Sequence, residues 1–302
     1  MGSNISKNIL KTILYSDLFD YPLTIDEISY FLINDRKIPN QRIKEYIQVS
    51  SFLVEKNGYI CLRKREFIIK KRLLAKKHSA KKYKVAKKAS CILSFIPTIS
   101  LVGVSGTLAM ENVLENDDID ICIVAKKNTL WITRFLATIL LDICKMRRKR
   151  KMGNVSDKIC LNMFIEESAL AFPKGKQNLY TAHEVVQMKP LFDRNNTYKK
   201  FILANMWVKK FLSNATIRFK IQDLSRSNRD LRFKNKEKNS LFVNHYSLIV
   251  LEFLAKKLQL WYMYKHRENE EVGDHFLAFY PFDYAEKVLS RYEEKLRKYH
   301  IV

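Results

Sequence analysis

Two short segments, Ile99-Ser100-Leu101-Val102-Gly103-Val104 and Ile119-Asp120-Ile121-Cys122-Ile123-Val124, are almost continuously apolar and rich in β-branched residues. Runs of this length and composition favour strands buried within a sheet. Between them, Ser105-Gly106-Thr107 reads as a turn and 108–114 as a short helix. The rest of the chain points to helices: among 302 residues there are only 7 Gly and 6 Pro, and 47% are hydrophobic, so turn formers are too scarce for many short strands. The expected fold class is therefore α+β, with a β-sheet core inside a largely helical protein.

The first 62 residues have the pattern of a small helical unit closed by a hairpin. Residues 5–15 place apolar side chains at helical spacing, and Tyr21-Pro22-Leu23 interrupts them. Thr24 followed by Glu27 is a capping box for a helix over 25–32, because hydroxyl and carboxylate each satisfy an orphan amide of the first turn. Another helix is expected from Pro39, with Ile43, Tyr46 and Ile47 as its apolar face. Asn57-Gly58 then joins two short strands, since this pair tolerates the positive φ angles of a tight hairpin turn. Three helices and a hairpin in this order resemble winged helix-turn-helix domains, which enter a DNA groove or dock onto proteins.

The formal net charge is +24, a field that attracts polyanions. Thirteen Lys or Arg residues lie in 63–88 against one acid, Glu66, and a second basic cluster occupies 147–151. Such runs form solvated helix faces, or they follow a phosphate backbone, in which case binding falls steeply with salt. The abundance of lysine, isoleucine and asparagine, as in proteins of AT-rich genomes, is an alternative source of part of the charge. Five widely spaced cysteines with no C-x-x-C pair suggest neither a disulfide framework nor a zinc site. Residues 91–110 are uncharged and long enough to cross a bilayer, but Pro97 interrupts them and hydroxyl residues dilute them. With no signal peptide evident at the amino end, the expectation is a cytoplasmic protein with no membrane partner.

The chemistry concentrates at the start of the second apolar strand. In a strand, residues two apart share a face, so Asp118 and Asp120 project together while Ile119, Ile121 and Ile123 pack inward. Adjacent carboxylates repel, and a bound cation relieves the repulsion; Mg²⁺ in particular is held by one or two carboxylates plus substrate phosphates. Gly106 lets backbone approach a ligand, and the amides of Ser105, Gly106 and Thr107 can receive an anion. Gly106-Thr107, ten further residues and then Asp118-Ile119-Asp120-Ile121 resemble the signature of the DNA polymerase β-like nucleotidyltransferase superfamily over about residues 90–166, with Thr107 where that family has Ser or Gly. The resemblance implies a mixed β-sheet flanked by helices. It also implies transfer of a nucleoside monophosphate from an NTP with Mg²⁺ or Mn²⁺ as cofactor, and leaves the acceptor open among RNA ends, proteins and small molecules.

Many members of that superfamily carry a third carboxylate on a later strand. Here the expected strand is 158–165, where Asn162 is the polar mid-strand position; its carbonyl can ligate metal but cannot act as a base. Glu166 and Glu167 at one end of the strand, and Asp157 at the other, are the alternative acids. The expectation is a slow transferase with Asn162 facing Asp118 and Asp120, and the rival is a non-catalytic nucleic-acid-binding or regulatory protein that keeps the fold. The expected organisation is a winged-helix-like unit over 1–62, a basic connecting helix over 63–89, a nucleotidyltransferase core over 90–170 and a helical domain over 171–302. Within the last, 179–188, 198–212, 241–264 and 284–299 have helical spacing, 225–238 reads as a linker, and His183, Tyr198, Asn205 and Trp207 are expected to be core residues rather than an acceptor pocket.

Overall fold

A computed structural model describes residues 2–34, 38–149, 153–215, 245–264, 270–279 and 284–301. The linker expected over 225–238 lies outside them. The amino-terminal elements are α1 (Gly2–Asp17), α2 (Ile25–Tyr30), α3 (Asn40–Val49), β1 (Leu53–Lys56) and β2 (Tyr59–Leu62). The capping box forms reciprocally: the Glu27 amide donates to the Thr24 hydroxyl and the Thr24 amide to the Glu27 carboxylate. Asn57 (φ 54°) and Gly58 (φ 75°) turn the antiparallel β1–β2 hairpin, and Leu23 adds a further bridge to Ile60.

Helix α4 (Phe67–Leu93) leads into the sheet. There follow β3 (Ile99–Val104), the short α5 (Gly106–Ala109), β4 (Ile119–Ala125), α6 (Leu130–Ile143) and β5 (Ile159–Glu166). After these come α7 (Leu179–Gln187), β6 (Lys189–Asp193), α8 (Thr197–Ala204), α9 (His245–Tyr264), β7 (Glu271–Val272), β8 (Phe276–Ala278) and α10 (Tyr284–Lys298). The fold is α+β. Its six-stranded mixed sheet runs β6-β3-β4-β5-β8-β7, with β4 and β5 parallel and the other pairs antiparallel.

Strands β6, β7 and β8 come from residues 171–302, where the sequence shows only helical spacing. They escape a pattern search because β7 and β8 are two and three residues long and β6 contains Pro190, which is tolerated because β6 is an edge strand. The helix expected over 198–212 is likewise two pieces, α8 and a 3₁₀ turn over Met206–Lys210, parted at Asn205. Asn205 is wholly buried and satisfied: it accepts from the Phe172 amide and the Trp207 indole (both 2.9 Å) and donates to the Leu170 and Phe201 carbonyls (both 2.8 Å). This is a structural bracket, and it breaks the helix by spending the side chain on backbone.

Alternation along the strands separates two buried faces. Val102, Val104, Ile119, Ile121, Ile123, Ile159 and Phe164 pack with residues of α4, α6 and α9. Leu101, Cys122, Val124, Met163 and Ile165 belong to a second core continuous with α1, α2, α3, α7, α8 and α10. No described helix is long and apolar enough to cross a membrane. The apolar α9 is tied to the sheet layer by Glu252, whose carboxylate accepts from the Trp131 and Ile132 amides, both at 2.8 Å, at the amino end of α6.

His183 of α7 is buried in this second core, stacked on Tyr15 with ring centroids 4.2 Å apart and facing Phe31 at 5.7 Å. Burial lowers its pKa to about 4, so the native imidazole is neutral. As pH falls, the unfolded chain takes up this proton first. Stability from His183 is therefore complete above about pH 6.5 and is lost progressively toward pH 4, by about 3 kcal/mol at the limit. His183→Phe should keep the aromatic packing and remove that part of the acid sensitivity. Urea midpoints of both proteins at pH 7 and pH 4.5 test this, and identical pH slopes would refute it.

Candidate metal centre

The site lies where β3 ends and β4 begins. The Ser105 amide donates to the Asp120 carbonyl at 3.1 Å, continuing the β3–β4 ladder in which Gly103 faces Cys122 and Val104 faces Ile121. Directly opposed residues share a sheet face, which places Ser105 and Asp120 on the face of Cys122. Gly106 follows with φ +60°, and a Cβ at this position would lie 2.6 Å from Asp120 Oδ2. The turn thus closes over the carboxylate as only glycine allows. Ser105 Oγ is buried and has no hydrogen-bond partner. Thr107 is exposed, and its carbonyl accepts from the Asn112 amide at 2.9 Å.

Asp118 and Asp120 do converge, and a third ligand-type atom joins them: carboxylate oxygens of both and Cys160 Sγ all lie within 4.8 Å of one another. The parallel register explains why. Asp120 pairs with Cys160 and Ile121 with Leu161, but Cys122 pairs with Met163, so the ladder shifts at Asn162. Asn162, expected to face the acid pair, sits at this irregularity, where its carbonyl accepts from the Phe279 amide at 2.9 Å. Glu166 and Glu167 are at the far end of β5, roughly 20 Å along the strand from Cys160. Glu166 is buried beside His275 and Ser168, and Glu167 meets Ser100 and Lys200. Asp157 is paired with Lys82. None of these three acids joins the cluster.

Burial and the adjacent Asp118 charge raise the Asp120 pKa to about 7, against the pull of Cys160 and Arg148. Burial and the two carboxylates also push the Cys160 thiol well above its usual range. Arg148 Nη1 donates to Asp118 Oδ2 at 2.7 Å, and its charge also acts on Cys160. A further carboxylate escapes any motif because it comes from a distant helix. Glu184 of α7 lies near enough to feel both Asp120 and the Gly106 amide; burial, first, and the Asp120 charge raise its pKa to about 7. Only the packing of α7 beside α5 brings it there.

Of the thirteen basic residues over 63–88, Arg72 and Lys82 are buried and ten are exposed, and several are tied to acids or carbonyls. Lys82 of α4 is 2% exposed and donates to the Glu115 and Asp117 carbonyls and to Asp157. Arg72 bonds Glu27 and the Pro22 carbonyl, Arg65 and Lys71 meet Asp20, and Arg147 makes two hydrogen bonds to Asp142. Arg150 and Lys151 lie outside the described residues. The amino-terminal unit braces the same loop: Tyr21 donates to the Met110 carbonyl at 2.9 Å and Asn112 to the Phe19 carbonyl at 3.0 Å.

No protein-family model and no curated protein matches the chain. Among solved structures, a match of 16% identity is described as a toxin-antitoxin crystallised with AMP-PNP; the alignment covers 49% of this chain and 94% of that one, with a TM-score of 0.25. A likeness at that level carries no weight for fold or function, and the functional reading rests on the site.

Proposed function

We propose that the protein is a metal-dependent nucleotidyltransferase that moves a nucleoside monophosphate from an NTP to an acceptor hydroxyl. One observation carries the reading. Asp118 and Asp120 converge with Cys160 beside a glycine turn that admits the Asp120 carboxylate, next to the buried, unpartnered Ser105 hydroxyl. Two carboxylates driven together without a cation between them are unfavourable, and this donor set suits a divalent ion. Such an ion, when bound, neutralises phosphate charge and holds the triphosphate for in-line displacement. The acceptor oxygen bonds the α-phosphorus, the bond to the β-phosphate bridging oxygen breaks, and pyrophosphate leaves.

The chain's own groups have definable tasks in this reading. Asp118 and Asp120 hold the cation, and Ser105, Gly106 and Thr107 line the triphosphate side. Glu184 is the carboxylate within the site's reach that can take the acceptor's proton, a role Asn162 cannot fill. Arg148, the counter-ion of Asp118, is free to turn toward phosphate once a cation replaces it.

Asp118→Asn or Asp120→Asn should abolish Mg²⁺- or Mn²⁺-dependent NTP binding while the protein stays folded, because relieving a like-charge pair rarely destabilises. Losing only an outer partner of a metal ligand costs about 10–100-fold in affinity, so losing a ligand should cost at least that. Calorimetric titration measures it, and unchanged binding in the double variant would refute the site. The reaction itself is tested by incubating purified protein with α-labelled triphosphates, Mg²⁺ or Mn²⁺ and cellular RNA or protein. Label entering one fraction, and lost in Asp120→Asn, supports transfer. Tight NTP binding with no labelled product would favour the regulatory rival.

A further inference from the structure

We propose that Cys160 is the third metal ligand of this centre, making it a mixed oxygen–sulfur site that prefers softer divalent ions such as Co²⁺, Zn²⁺ or Cd²⁺ over Mg²⁺. The inference rests on the reading of Asp118 and Asp120 as metal ligands and adds what the third donor is.

The backbone makes Cys160 the obligate neighbour. It stands directly opposite Asp120 in the parallel ladder, on the same sheet face, and the register shift then carries Asn162 out of step. Its sulfur is within 4.8 Å of both carboxylate oxygens. A buried free cysteine is ordinarily a small apolar filler. Cys61 and Cys122 fit that description, for both pack into hydrophobic clusters. Cys160 does not. Its neighbours are two carboxylates, and the Arg148 guanidinium that pairs with Asp118 acts on it electrostatically.

Ser105 Oγ supplies an independent indication of a ligand. It is 4% exposed, opposes Asp120 on the same face and has no hydrogen-bond partner, whereas buried hydroxyls are normally satisfied. A cation with its water or phosphate oxygens between Asp118, Asp120 and Cys160 satisfies it. The donor set then decides which cation. Mg²⁺ demands an octahedron of oxygens, while thiolate favours softer ions. On coordination the S–H bond gives its proton to solvent and the sulfur electron pair forms the bond to the metal.

The experiment uses the full chain, stripped of metal and titrated with Co²⁺. A near-ultraviolet sulfur-to-cobalt charge-transfer band should appear as Co²⁺ binds. Cys160→Ser should lose that band while keeping the weaker visible cobalt bands, and should bind Cd²⁺ about 10–100-fold less tightly. Cys160→Asp should shift preference toward Mg²⁺. Cys144→Ser, which removes an exposed thiol, should leave the band intact. Calorimetric Co²⁺ binding by the unmodified protein without a charge-transfer band would overturn the sulfur ligand and leave the acid pair as the metal site. A band that survives Cys160→Ser would also overturn it. If the unmodified chain binds no divalent ion, the metal reading of Asp118 and Asp120 fails together with this one.

Discussion

Gly106→Ala is expected to disable the site more severely than any other single-methyl addition in the chain. The residue has φ +60°, where an alanine loses roughly 1–2 kcal/mol to its own Cβ. The methyl would also sit 2.6 Å from Asp120 Oδ2, closer than real contacts allow. Relief must come from Asp120, yet its backbone is fixed by the Ser105 amide and by pairing with Cys160 on the other side. Overpacking of that kind costs about another 1–3 kcal/mol. The side chain therefore has to swing, and it leaves Asp118 and Cys160 as it does. Metal affinity should fall by on the order of 100-fold or more, with an urea midpoint lowered but still cooperative. Gly58→Ala is the matched control. It too has positive φ, +75°, but a Cβ there meets nothing within 4 Å, so it should cost about 1 kcal/mol and leave metal binding untouched. A folded Gly106→Ala protein that binds Mn²⁺ like the parent would show that the turn does not shape the site.

What the sequence reveals about this fold is what local chemistry can encode. Thr24 and Glu27 announce their helix because both capping partners are three residues apart. Asn57-Gly58 announces its hairpin because the turn demands positive φ. The apolar runs of β3 and β4 mark a buried sheet, and the spacing of two alternates brings Asp118 and Asp120 together. Everything that depends on a distant partner is silent. Cys160 enters the cluster through parallel register, and that register shifts by one residue at Asn162, which simple alternation along β5 cannot anticipate. Glu184 arrives from a helix whose sequence reads only as amphipathic. Strands β7 and β8 are too short to have a period, and Pro190 disguises β6.

The basic run of α4 shows the same divide, and its most informative member is Lys82. Sequence places it among thirteen cations and suggests a solvated face or a phosphate track. The structure instead leaves it 2% exposed, with Nζ 2.6 Å from the Asp117 carbonyl, 2.9 Å from that of Glu115 and 3.0 Å from Asp157 Oδ1. Three donors thus meet three acceptors, two of them carbonyls on the loop that delivers Asp118. Asp157 is half exposed and its ion pair with Lys82 is screened, so most of the effect should come from the Asp117 carbonyl. Stranding a polar group inside costs about 1–3 kcal/mol, and Lys82→Met strands the Asp117 carbonyl while keeping the apolar stem, whereas the Glu115 carbonyl keeps Ser156 Oγ at 2.8 Å, for a loss of roughly 1–3 kcal/mol. Lys82→Arg should not restore it, because a planar fork cannot reproduce three contacts converging on one nitrogen. The functional consequence follows from position: Asp117 adjoins Asp118, so freeing its carbonyl loosens a metal ligand without touching it. Metal affinity should drop about 10–100-fold, as for other changes one step behind a ligand. Urea denaturation gives the first quantity, and Mn²⁺ titration at a temperature where the variant stays folded gives the second. A Lys82→Met protein within about 0.5 kcal/mol of the parent would return Lys82 to the solvated face that its sequence suggests.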